Sequence, residues 1–221
     1  MMEFLEFQAF IENDDLFPFY LREHVLGKKK ILWQEQKISY SADKFILIDS
    51  GLVVKSYGKK QIIYQLAGKD QFIFFNQSDS YLEALERTHY REFQIKDVVE
   101  QLEEEKLLDH FLLFMFKKEE KIVQKLVELE NMKVKERIYY LLNELFFLDY
   151  GSHIEDKKEG VYNLPSWLKM SVFTRLVRTS AANLSQQLHP LTRNHILRTH
   201  KKPWQINVKL WNDFYKNLFN L

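Results

Sequence analysis

Residues Leu164 to Asn207 read LPSWLKMSVFTRLVRTSAANLSQQLHPLTRNHILRTHKKPWQIN. Leu168, Val172, Leu176 and Val177 recur at helical spacing, which predicts a short helix with one buried face. Arg178-Thr179-Ser180 interrupts it, and Ser180 suits the N-cap of a second helix, from Ala181 to about His189, with Ala181, Leu184 and Leu188 as its apolar members. The opposite face carries Ala182, Asn183, Ser185, Gln186 and His189. Compact neutral side chains that donate or accept hydrogen bonds suit base edges in a DNA major groove, where long charged groups commit to phosphate. Further on, His195 to Arg198 and Trp204 to Val208 flank Thr199-His200-Lys201-Lys202-Pro203, the pattern of a hairpin with a basic tip. Helix, turn, helix and hairpin together predict a winged helix-turn-helix. The alternative is a small helical subdomain whose turn is accidental, because the spacing by itself is weakly specific.

The 221 residues suffice for one large or two small domains, and 46% hydrophobic with 15% aromatic content predicts packed cores. With no cysteine in the chain, disulfides, thiolate catalysis, cysteine-ligated zinc and iron–sulfur clusters are excluded. The first residues, MMEFLEFQAFIENDDLF, mix acidic and apolar side chains without a basic leader, and no run reaches bilayer length. A cytoplasmic protein with no membrane partner is expected. The net charge of +1 hides an imbalance: residues 1–132 carry about −6 and residues 133–221 about +7, which points to a polyanion partner for the second part alone. No paired carboxylates, Gly-rich phosphate loop, nucleophile elbow or metal-spaced histidine pair occurs, so neither an enzyme nor a metal or cofactor is expected. His24, His89 and His110 stand singly, as surface or core histidines do.

Upstream of that stretch, residues 3–24 suggest a short amphipathic helix, Pro18 and a second apolar piece packing as a lid. From Lys28 to about Lys96 short runs rich in Ile, Val, Phe and Tyr alternate with turn residues. Ile31–Trp33, Phe45–Ile48, Leu52–Tyr57, Gln61–Leu66, Gln71–Phe75 and Tyr90–Ile95 are the expected strands of a roll or barrel. Asp49-Ser50-Gly51, Tyr57 to Lys60 and Ala67 to Asp70 are the turns. From Asp97 the pattern is helical. Leu108, Leu112, Met115, Glu119, Ile122, Leu126 and Leu129 follow four- and three-residue steps along a single seam of a helix of about 25 residues, and Phe111, Phe114, Phe116 and Val123 make a second apolar face. The periodicity serves a dimer seam or a helix buried in its own domain almost equally. Lys135 to Leu148 is a further amphipathic helix, ending at Gly151. Residues 152–162 suit an exposed hairpin or loop, and Leu210 to Leu221 a last helix. The resulting α+β division is a β-roll domain over 1–105, a dimerisation helix over 106–132 and a winged helix-turn-helix domain over 133–221.

This order resembles the Crp/Fnr family of bacterial transcription regulators, whose β-roll is of the cyclic-nucleotide-binding kind. Phe45 to Val53 resembles the family's ILxxGxV strand and turn, Ala67 to Phe72 its PGDxF turn without the proline, and KERIYYLLNEL at 135–145 the helix before the reading domain. The added helix after the wing resembles the PrfA-like branch. The resemblance implies a homodimer on double-stranded DNA, with RNA polymerase as a further partner.

The departures are informative. Relatives that bind cyclic nucleotide carry a Gly-Glu turn and an Arg-Thr or Arg-Ser pair around the phosphate, whereas Phe74 to Leu82 holds neither glycine nor arginine. A phosphate there would lack its charge partner and its nest of N–H groups, which argues against cyclic nucleotide. Many relatives place Arg-Glu after the capping serine and another Arg four residues on; here those positions hold Ala181, Ala182 and Gln186. Gln186 pairs well with adenine and the alanines with thymine methyls, so an A·T-rich, pseudo-palindromic site is expected. Lys169, Thr179, Ser180, Lys201 and Lys202 are expected to hold phosphates and Ala181, Ala182 and Gln186 to face bases, with Asn183 serving a base or a phosphate and Arg178, Ser185 and His189 completing the expected interface. Arg178 stands where relatives have the turn glycine, so it must bear strain or the turn must differ, and Pro190 should end the helix near His189. The rival reading is a ligand-sensing or protein-docking dimer whose helix-turn-helix no longer reads an operator.

Overall fold

The structure is a computed structural model that describes residues 16–39, 42–58, 62–75 and 80–219, without the side chains of 216–219. Most of the helix expected over 3–24, Asn76 to Asp79 of the altered phosphate segment and the Leu218 side chain lie outside the described residues. Two compact units form, one running to Glu128 and the other from Leu129.

In the first unit, two four-stranded antiparallel sheets face each other. One has the order β1 (Lys28–Leu32), β8 (Thr88–Gln94), β3 (Lys44–Ser50), β6 (Phe72–Phe74); the other β2 (Lys37–Ile38), β7 (Ser80–Ala84), β4 (Val53–Tyr57), β5 (Ile62–Ala67). The period of two along β3 decides which side chains meet where: Ile46 and Ile48 join Val53, Ile73, Leu82 and Tyr90 between the sheets, while Phe45 and Leu47 point outward. The expected strands are present, but β2 and β7 were not legible. β2 has two residues, and β7 carries Ser80 and Glu83, which read as loop until β4 and β2 supply its ladders.

The outward aromatic face of the first sheet is covered by helices α1 (Leu16–His24), α2 (Ile95–Glu104) and the start of α3 (Leu108–Asn131). Phe17 meets Phe111 edge-on at 5.2 Å, and Phe111 and Phe114 each meet Phe72 edge-on at 5.9 Å. Such pairs add about 0.5–1.5 kcal/mol each beyond their buried area. Ion pairs fix α1 in place: Arg22 reaches Asp49 at 2.8 Å and Asp70 at 2.5 Å, and Arg91 holds the other oxygen of Asp49 at 3.2 Å while donating to the Arg22 carbonyl at 2.7 Å. Helicity begins at Ile95, two residues before the expected start at Asp97, and Lys106, at φ 58°, separates α2 from the long helix α3. In the turn from Ala67 to Asp70 it is Asp70, at φ 63°, and not Gly68, that takes the left-handed conformation.

α3 carries two kinds of apolar side chain. Phe111 and Phe114 are buried in the core of the first unit, and Leu108 and Met115 pack against it half-buried. Leu112, Phe116, Val123 and Val127 stay 56%, 65%, 48% and 54% exposed. At ~100° per residue these four fall within about 60° of one another, a stripe displaced round the helix from the buried face.

The second unit is built on α4 (Val134–Tyr150), whose buried face holds Ile138, Leu142, Leu145 and Phe146. It ends as its sequence predicts, with Gly151 at φ 63° donating its N–H to the Phe147 carbonyl at 2.8 Å. Residues 152–162 are not a plain exposed loop. A short 3-10 turn at Ile154–Asp156 buries Ile154, and β9 (Val161–Asn163) joins a sheet of order β10 (Leu197–Arg198), β11 (Gln205–Asn207), β9. Its pairing partner lies about forty residues downstream, so no local pattern reveals it. The closing helix α7 (Val208–Phe219) seats Trp211 edge-on against Tyr139 at 5.2 Å, and burial pushes the Tyr139 phenol up to about 12.

Gly51 gives a direct test of the sheet turn. Its φ of +92° is left-handed, and a Cβ there would stand 2.6 Å from the Arg87 carbonyl oxygen and the Thr88 Cα, both backbone. Gly51→Ala should destabilise the first unit by about 2 kcal/mol or more in urea unfolding, whereas Gly58→Ala, at φ +68° with no such neighbour, should cost less.

Candidate nucleic-acid interface

Helix α5 (Met170–Val177) buries Val172, Phe173, Leu176 and Val177, and Phe173 meets Trp204 edge-on at 5.8 Å. Leu168 is buried just ahead of it and outside the helix. The helix stops at Arg178, which adopts φ 56°, ψ 53°. For an L-residue with a Cβ this conformation costs about 1–2 kcal/mol, so the strain anticipated at the glycine-like position is real and the turn is retained. Side chains on either side hold it. The Arg178 guanidinium pairs with Glu130, and Arg137 donates to the Val177 carbonyl at 3.0 Å, satisfying an acceptor that the helix end leaves open.

Ser180 follows in extended conformation and its Oγ accepts the Asn183 N–H at 3.2 Å, capping α6 (Ala181–Arg193). Leu184, Leu188 and Leu191 are the buried stripe. Ala181, assigned to that stripe from the sequence, is exposed instead, because the stripe runs through Leu184, Leu188 and Leu191 and the capped first turn projects Ala181 outward. Ala182, Ser185, Gln186 and His189 are exposed as expected. Pro190 does not end the helix, which continues to Arg193. Pro190 removes one N–H from the ladder, and both Pro190 and Gln186, whose carbonyl it would have served, are on the exposed side. On the buried side, Leu191 is enclosed and its carbonyl accepts the Ile196 N–H at 2.9 Å, which offsets the loss. Not one carboxylate occurs along α6, and its only formal charge is Arg193 in the last turn. The outward face is therefore neutral, with the positive end of the helix dipole at Ser180.

Lys201 and Lys202 are exposed at the tip between β10 and β11, and β10 adjoins α6. Lys169, just before α5, and Thr179 are half-buried. Two of the expected contact residues are engaged within the chain: Arg178 with Glu130, and Asn183 through its Nδ2, which donates to Thr179 Oγ1 at 2.8 Å. Glu130 and Arg137 were not singled out in the sequence. They sit in amphipathic helices among other charges, and only the fold carries them to the α5–α6 turn.

Among the described residues no group of three or more His, Asp or Glu could hold a metal ion, and no helix is long and apolar enough to cross a membrane. No protein-family model and no curated protein matches the sequence. Solved structures do. The chain is similar to a cyclic nucleotide-binding domain containing protein from Listeria monocytogenes EGD-e, with a TM-score of 0.64 and 21% identity over 91% of this chain and 99% of that one. It is similar to FixK2 from Bradyrhizobium japonicum, with a TM-score of 0.64 and 13% identity over 88% of this chain and 98% of that one. A third is the c-di-GMP responsive global regulator CLP of Xanthomonas campestris, with a TM-score of 0.61 and 13% identity over 82% and 93%. At these identities the likeness is one of fold, and it extends over both units.

The cap can be tested without any ligand. Ser180→Ala leaves the Asn183 N–H without its acceptor and should lower the stability of the second unit by about 1 kcal/mol, read by urea unfolding through Trp167, Trp204 and Trp211. An unchanged midpoint would mean that the turn is held by its flanking ion pair alone.

Proposed function

We propose that this chain is a sequence-specific DNA-binding transcription regulator of the Crp/Fnr type, cytoplasmic, acting as a homodimer on a pseudo-palindromic, A·T-rich site. The observation that carries this reading is the exposed face of α6, which is neutral, hydrogen-bonding and free of carboxylates, next to a hairpin tipped by Lys201 and Lys202. In this reading α5, α6 and the hairpin form a winged helix-turn-helix. Ala181, Ala182, Ser185 and Gln186 face base edges, while Lys169, Thr179, Ser180, Lys201 and Lys202 hold phosphates. The fold shared with CLP, a global regulator by name, supports it, as does the excess of positive charge beyond residue 132. Helix α7 after the hairpin is the addition that distinguishes a PrfA-like branch.

Dimerisation is supported by the stripe Leu112, Phe116, Val123 and Val127, too large and too exposed to be left in water on a working protein. The seam read from spacing shares Leu112 with this stripe, and Ile122, Leu126 and Leu129 flank it half-buried. Pairing along α3 would present two α6 helices to successive major grooves about 34 Å apart. The first unit then acts as the regulatory domain, and RNA polymerase is the protein partner of the bound dimer.

A second reading, a docking or ligand-sensing dimer that reads no operator, is favoured by one observation: Arg178 and Asn183 already have partners inside the chain.

Fluorescence anisotropy with duplex from the promoter of the chain's own gene, at stated salt, separates the two. The K201A/K202A variant should weaken binding to every duplex and flatten the salt slope by about 1–2. Gln186→Ala should instead lose about 1–3 kcal/mol of discrimination at one base pair. Equal losses from both changes, or no preference over random duplex at physiological salt, would favour the second reading. By light scattering, Leu112→Ser with Phe116→Ser should convert the dimer to monomers and reduce operator affinity; a wild-type chain that is already monomeric would remove the dimer from either reading.

A further inference from the structure

From Leu164 to Asn207 the chain holds seven Lys or Arg and not one Asp or Glu. No carboxylate near in sequence can neutralise the turn between α5 and α6. The fold brings one from outside. The Arg178 guanidinium pairs with Glu130 at the end of α3, 48 residues earlier in the chain. The Arg178 side chain is 17% exposed and that of Glu130 57%, so the carboxylate is the outer member of the pair.

Stability does not account for this arrangement. Arg178 is held at φ 56°, a conformation that glycine adopts freely and an L-residue does not. A pair with one member so exposed offsets only part of that strain, because water screens it. Glycine at the turn and a neutral residue at 130 would give the same backbone at lower cost. What the pair adds is a placement of charge. Arg178 directly precedes Thr179 and Ser180, two of the residues read above as phosphate contacts, and carboxylate and phosphate compete for the same guanidinium donors.

We propose that Glu130 is an internal counter-ion that masks Arg178 from the DNA backbone, lowering the affinity of the second unit for every duplex by about one phosphate contact. The inference rests on the reading of that unit as DNA-binding. Phosphate contacts are blind to sequence, so masking one leaves the base-facing side chains of α6, Gln186 among them, a larger share of the affinity that remains.

Anisotropy titrations of the full chain with promoter duplex and with random duplex, over a series of salt concentrations, test the mask. Glu130→Gln keeps an acceptor for the guanidinium and removes the charge. It should bind both duplexes more tightly and steepen the salt slope by about 1, so that its gain shrinks about threefold between roughly 50 and 200 mM salt. Arg178→Gly leaves the carboxylate unpaired beside the backbone and should weaken both duplexes, although its Tm stays at or above that of the wild type because the turn is relieved. E130Q/R178G carries the same net charge as the original pair and should return close to wild-type affinity. A pair that serves only the geometry of the turn gives the opposite signs: E130Q would bind more weakly with a lower Tm, and R178G would not lose affinity. The mask is overturned if E130Q binds no tighter than the wild type, or if the double variant binds as tightly as E130Q, since the gain would then not pass through Arg178. Equal binding of promoter and random duplex, with E130Q tightening both, would sink the operator reading and leave the mask standing. A promoter preference with E130Q unchanged would sink the mask alone, and a chain that binds no duplex in any variant would sink both.

Discussion

The left-handed turn at Arg178 is the constraint on which the second unit depends. Because α5 must stop at Val177 and the chain must reverse before Ser180, an L-residue is held at φ 56°, and α6 leaves the turn with Leu184, Leu188 and Leu191 facing the core. Had the helix run on, those leucines would have lost their shared face and the neutral side chains would not be gathered on the outside. The turn is sustained from both sides. Val177 is fully enclosed just before it, Ser180 caps the helix just after it, and Glu130 and Arg137 reach in from neighbouring helices. An energetically unfavourable backbone conformation is thus maintained by contacts made by other elements, and those contacts aim the outward face of α6.

The first unit answers a different problem. Two small sheets enclose an apolar interior, yet sheet closure forces alternate residues of every strand inward, so any polar residue at an inward position is buried with them. Most of the buried polar groups have resolved this by pairing. Glu92 is held by Lys30 at 2.6 Å and by Lys44 at 3.3 Å, and the Arg22–Asp49–Arg91 chain spans α1 and the sheet. Lys55 is served by the Tyr64 ring at 5.4 Å and by the attraction of Glu119, and the bulge at Tyr64 lies beside it.

Helix α3 carries two distinct apolar faces. Its aromatic side chains at 111 and 114 are consumed by the core of the first unit, while its stripe from Leu112 to Val127 is exposed. A single helix thus offers one apolar face to the core and a second to its surroundings. Heptad spacing on its own could not say which apolar row was the inner one, since both rows fit the same steps.

What the residues determine locally was legible without coordinates: the short β-branched and aromatic strands from Lys28 to Lys96, the capping serine at 180, the glycine stop at 151 and the strained arginine at 178. Each is a property of a few neighbouring residues, where propensity, capping and turn sterics act. What only the tertiary structure decided involves partners far apart in the chain. β9 exists because β11 offers it a ladder; α6 passes through Pro190 because burying Leu191 outweighs one missing hydrogen bond; Ala181 faces outward because Leu184, Leu188 and Leu191 claim the core. Likewise, nothing near Lys55 marks it as buried beside Gln65, and nothing near Glu130 marks it as the partner of Arg178. The physical reason is common to all of them: burial and pairing are set by what the rest of the chain brings alongside, and a local pattern carries no record of that neighbour.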